Sequence, residues 1–174
     1  MQRVTKQAAV VGGVILLVIV VALLLVPHYT RRPLVLPKEL GVLQLQQLIS
    51  GDQARRIINQ MHGKGVTPRN NIIGLYASDL GEATLYLSEY DEEVEASETE
   101  ERMIRGIETG YTPFSDFQQQ RIEGINVSFC TGDGQAHYFF SYNTSLYWLA
   151  VDFPIAEETV RALIRTIKPS PVVV

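Results

Sequence analysis

From Ala8 to Val26 the chain runs for 19 residues without one polar or charged side chain, AAVVGGVILLVIVVALLLV. As a helix rising about 1.5 Å per residue, such a run is about 28 Å long and matches the hydrocarbon thickness of a bilayer. A buried helix of a water-soluble protein usually keeps a polar stripe, so this run reads as a single transmembrane helix. Pro27 stops it, and His28, Tyr29, Arg31 and Arg32 suit the headgroup layer. A cleaved leader would have a shorter apolar stretch of about 7–15 residues and a small-x-small cleavage site. Leu25-Val26-Pro27-His28-Tyr29 offers no such site, so the expectation is an uncleaved signal anchor. Ala8, Ala9, Gly12 and Gly13 place small residues near its start, where a second helix can pack closely. Arg3 and Lys6 before the run nearly balance Arg31, Arg32 and Lys38 after it, which leaves the positive-inside rule close to a tie. The short tail ahead of a long C-terminal part favours an N-terminus in the cytoplasm and a body outside it.

The charge divides at the same place. Residues 1–33 carry four basic side chains and no acid, whereas the remainder holds 11 basic against 19 acidic, a net −8. A body this acidic is a poor partner for nucleic acid, whose phosphates call for clustered Lys and Arg. A single cysteine excludes an intramolecular disulfide and Cys-rich zinc or iron–sulfur motifs. His28, His62 and His137 are the only histidines and form no i, i+4 pair, so no metal or other cofactor is expected.

The chain separates into a basic tail (1–7), the membrane helix (8–26), a proline-marked connector (27–40), a body (41–168) and a tail (169–174). In the body, Leu43, Leu45, Gln47 and Ile49 alternate as a strand. Ser50 and Gln53 have capping-box spacing ahead of Ala54, Ile57, Ile58 and Met61, which recur at helical intervals up to Gly63. His62-Gly63-Lys64-Gly65 follows a helix C-terminus, where the dipole disfavours phosphate, and reads as a stop. Strands 71–78 and 83–90 flank Asp79-Leu80-Gly81-Glu82 as a hairpin. Eight acids between Glu89 and Glu101 open a second helix whose apolar stripe is Met103, Ile104 and Ile107. The acids read as its solvated face, since no calcium-loop pattern is present. Strands 117–122, 125–130, 135–142 and 145–152 follow, with turns at Glu123-Gly124, Gly132-Asp133 and Asn143-Thr144, before a last helix bearing Val160, Leu163, Ile164 and Ile167.

The expected fold class is α+β: a two-layer domain with a mainly antiparallel sheet and helices on one face, behind the N-terminal membrane helix. Over residues 41–168 this order resembles ferredoxin-like and PsbP-like two-layer domains. The resemblance is one of layout and implies no activity.

With those turns Ser128 faces His137, and His137 faces Ala150. Val127, Phe129, Tyr138, Phe140, Tyr147, Leu149 and Val151 then line the core side. The other side mixes Phe139, Leu146 and Trp148 with His137 and Asp152, a composition suited to an interaction face unless the connector or the C-terminal tail covers it. A three-residue loop at Tyr142–Ser145 would flip the last strand and exchange the sides. His137, Ser128, Cys130 and Asp152 nominally supply base, nucleophile and acid, but on a flat sheet they lack a nucleophile elbow and an oxyanion hole. Asn126-Val127-Ser128 and Asn143-Thr144-Ser145 match the glycosylation triplet, a short pattern frequent by chance. The expectation is a non-catalytic, single-pass membrane protein. Its body binds a protein partner as an accessory subunit of a larger membrane complex, or alternatively a small ligand.

Overall fold

The structure is a computed structural model that describes residues 34–62, 68, 70–110 and 112–168. The expected membrane helix, with Ala8, Ala9, Gly12 and Gly13, lies outside the described residues, as do the first half of the connector (27–33), the 63–65 glycine loop and the tail from 169. Among the described residues no helix is long and apolar enough to cross a membrane.

The body is α+β. Its strands are β1 (Glu39–Leu40), β2 (Leu43–Ser50), β3 (Asn70–Ser78), β4 (Gly81–Glu89), β5 (Ser115–Ile122), β6 (Ile125–Gly132), β7 (Gln135–Tyr142) and β8 (Ser145–Val151). The helices are α1 (Gly51–His62), α2 (Glu93–Glu108) and α3 (Ala156–Ile167), the last entered through a short 3-10 turn at Phe153–Ile155. All eight strands form one sheet in the order β1-β2-β3-β4-β8-β7-β6-β5, with every neighbouring pair antiparallel. Two meanders thus meet at β4 and β8, which the long excursion through α2 brings together.

Turn chemistry sets the register. Asp133 and Gly134 both take positive φ, 50° and 78°, as a two-residue type I′ hairpin requires. Gly132 therefore closes the hairpin opposite Gln135, and Ser128 pairs with Phe139 while Cys130 pairs with His137. The expected turn at Gly132-Asp133 was one residue early, so its pairing of Ser128 with His137 is corrected. The displacement along the partner strand is even, and every side chain stays on its side of the sheet. The two-residue turn at Asn143-Thr144 sets His137 opposite Ala150 and Phe139 opposite Trp148.

The main core lies on the side of Ile72, Leu87, Tyr147 and Phe140, which are register partners across four strands. Over it α3 lays Val160, Leu163 and Ile164, each fully buried. Segment 34–40, expected as a connector, also packs here. Leu36 and Leu40 are buried, and the Tyr76 hydroxyl donates to the Pro37 carbonyl at 2.9 Å. The opposite side carries helices as well, which corrects the expected two-layer arrangement. There α1 sets Ala54 and Ile58 on Ile73, and α2 sets Ile107 against Cys130 and Phe139. The reason is compositional. Both parities of β3, β7 and β8 are largely apolar, so neither side of this sheet can be left to water.

Candidate functional site

Of the side chains singled out as an interaction face, His137, Phe139, Leu146 and Trp148 gather on the α2 side of β7 and β8, where the described residues cover them, whereas Asp152 follows β8 and stays partly exposed. Phe139 is fully buried, His137 is 6% and Leu146 8% exposed, and Trp148 is half-buried. Phe139 and Trp148, cross-strand partners, stack with ring centroids 4.9 Å apart and planes 9° from parallel. Phe114, from the link between α2 and β5, closes over them at 4.9 Å from the His137 ring and 5.1 Å from Trp148. That approach depends on the glycine at 132, because a Cβ there would sit 2.5 Å from Phe114 Cδ1.

Hydrogen bonding fixes the state of His137. The Trp148 indole N–H, which can only donate, donates to His137 Nδ1 at 3.1 Å. Nδ1 is therefore unprotonated, and Nε2–H donates to the Gly132 carbonyl at 3.0 Å. Burial lowers the imidazole pKa from its ordinary value, with the Gly132 carbonyl and Asp133 acting more weakly in the opposite direction. His137 is thus neutral at pH 7, held as one tautomer by two neighbours.

These contacts dismantle the nominal catalytic set. Asp152 does not turn toward His137. It accepts from the Gln135 side chain at 3.0 Å and the Glu82 N–H at 2.8 Å, and these bonds hold its carboxyl below the usual range. Burial pushes the Cys130 thiol up to about 11, which removes the thiolate a nucleophile would need. Ser128 is buried, with its hydroxyl beside the Glu100 carboxylate.

Glu100 escaped the sequence reading, in which it was one acid among eight. It lies on α2 where its carboxylate accepts from both the N–H and the Oγ–H of Ser141 on β7, each at 2.7 Å. Burial raises its pKa, while the Ser141 bonds and the nearby Ser128 hydroxyl pull it down. The signal was present: Ala96, Glu100, Met103 and Ile107 follow 4-3-4 spacing, so Glu100 interrupts the inward stripe of its own helix. Phe114 carried no comparable signal, since it lies outside any periodic segment.

On the other side of the sheet, a half-open apolar groove of ≈ 230 Å³ lies between the N-terminal segment and α3. Leu36 and Pro37 form one wall, Leu163 and Ile167 the other, and Leu87 and Tyr147 the floor. Among the described residues no group of three or more His, Cys, Asp or Glu is placed to hold a metal ion. Comparison of the chain with protein-family models, with curated proteins and with solved structures finds no match in any of the three.

Proposed function

We propose that the chain is a single-pass membrane protein whose α+β body binds another protein, serving as a non-catalytic accessory subunit of a larger membrane complex. The observation that carries this reading is the uninterrupted apolar run Ala8–Val26 ahead of an acidic body. The tail 1–7 lies in the cytoplasm and the body outside it, and Ala8, Ala9, Gly12 and Gly13 offer a partner helix a close approach. With the Trp148 side under α2, three of the exposed large apolar side chains among the described residues sit together at one end of the sheet. Val42 of the β1–β2 turn, Leu80 of the β3–β4 turn and Phe153 after β8 are 39%, 63% and 52% exposed there. Such residues on an otherwise polar surface suit a docking patch.

The groove beside α3 favours a second reading, a tethered module for a small apolar ligand. It is concave and mainly apolar, with Thr166 at its edge, though smaller than most ligand sites. One experiment separates the two. The full chain is extracted from its native membrane in mild detergent and its native mass measured. A species containing a second polypeptide supports the partner reading, and a lone 19.5 kDa chain contradicts it. A lone chain that retains a small apolar molecule supports the groove instead.

A further inference from the structure

The three helices are docked on the sheet by different means. α3 buries Val160, Leu163 and Ile164 completely, whereas Ile107 is the only large apolar side chain that α2 buries to a comparable degree. The rest of the inward stripe of α2 is small or polar: Ala96, Thr99 and Glu100, with Met103 and Ile104 half-buried. Docking α2 and its link also leaves one hydroxyl, Thr112 Oγ1, buried without a hydrogen bond, a cost that release into water would remove. Beneath them lies the stacked Phe139–Trp148 pair, tied to His137.

We propose that α2 and the Phe114 link form an acid-released cover over the Phe139–Trp148 face, with the Trp148–His137 hydrogen bond as its latch. The chemistry follows from the tautomer. A proton added to His137 must go to Nδ1, the atom that accepts from the Trp148 N–H, and turns that contact into two donors facing each other. The imidazolium would also have to be carried in a buried site against the rings of Phe114 and Trp148.

Few groups compensate that charge. On β6, the register partner of His137 is the protonated thiol of Cys130, and Gly132 offers its carbonyl. The β6–β7 turn contributes Asp133, and β8 supplies only Trp148 and Ala150. Phe114 packs on the imidazole, and the cluster it belongs to adds only uncharged groups, Met103, Ile104, Ile107 and Phe117. In the opened state His137 regains its ordinary pKa near 6.5, above its docked value. Opening therefore takes up a proton. The opening equilibrium grows about tenfold for each pH unit below 6.5, until the docked pKa is reached. Glu100 acts in the opposite sense. Its docked pKa is raised, so acidification relieves the burial of its charge and favours docking. Removing its charge isolates the histidine.

Trp148 is the only tryptophan in the chain, so intrinsic fluorescence reports on the latch directly. The full chain in mild detergent is titrated from about pH 8 to about pH 5 while Trp148 emission and the amide protection of α2 are followed. The expected result is a red-shifted, more quenchable Trp148 with a midpoint below 6.5. α2 should lose protection about tenfold per pH unit while α3 keeps its own. His137→Asn, whose amide oxygen still accepts from the indole but does not titrate, should abolish the transition. Glu100→Gln should make it steeper. A transition that survives His137→Asn, or equal loss of protection in α2 and α3, overturns the proposal. If His137→Asn does not fold, the imidazole pKa of the wild-type chain decides by NMR, and a value at or above 6.5 contradicts it.

Discussion

Gly132→Ala is the substitution that most sharply examines how the aromatic face is closed. The backbone at 132 is ordinary extended strand, so alanine meets no conformational penalty there. It meets Phe114: the new methyl would lie 2.5 Å from Cδ1 and 2.9 Å from Cε1 of the ring. Ordinary contact begins about an ångström further out, so the ring must move, and it also packs on His137 and Trp148. Overpacking of this kind costs about 1–3 kcal/mol. With a urea dependence of about 2 kcal/mol per molar, the unfolding midpoint should fall by about 0.5–1.5 M. Trp148 fluorescence follows the unfolding, and near-ultraviolet circular dichroism shows the loss of ring packing before it. The double variant Gly132→Ala/Phe114→Leu should recover part of the loss, because the smaller, flexible side chain leaves room for the methyl. A coupling of about 0.5–2 kcal/mol between the two sites is expected. A wild-type midpoint and unchanged Trp148 emission in Gly132→Ala would refute this packing, as would strict additivity in the double variant.

Leu163→Ala, at a fully buried position of α3, should cost about 2–5 kcal/mol in urea unfolding. Ile107→Ala on α2 should cost less, because the loss is capped by the free energy that docks this helix; equal costs would show α2 to be as firmly held as α3. Cys130, with its thiol pushed up to about 11, should resist alkylation at about pH 8 in the native chain and react promptly in denaturant. Native labelling as fast as that of a free thiol would contradict its burial.

Much of the fold was legible because turn chemistry and alternation are local properties. The strands from β3 to β8 follow from residues such as Ile125, Val127 and Phe129 recurring at every second position between glycine-bearing turns. The hairpin between β6 and β7 was misplaced because Thr131-Gly132-Asp133-Gly134 offers a glycine on either side of Asp133, and only the Asp133-Gly134 pair takes positive φ at both central residues. What covers a sheet side is not a local property. Phe139 and Trp148 declare a buried side, but the spacing along β7 and β8 cannot distinguish a foreign surface from a helix of the same chain. Glu100 was hidden by its company: amid seven other acids, its position on the inward stripe of α2 shows only once Ala96 and Ile107 are seen to face the sheet. Leu36 and Leu40 were hidden by Pro33 and Pro37, which mark an extended segment correctly but not where its leucines go.

In the proposed function, residues 8–26 hold the acidic body at a bilayer. Alkaline carbonate extraction of native membranes, applied to the full chain and to the chain beginning at Leu34, tests it most directly. The full chain is expected to stay with the lipid pellet, while the shortened chain is released to the supernatant as a folded protein with the same Trp148 emission. Release of the full chain by carbonate would contradict it.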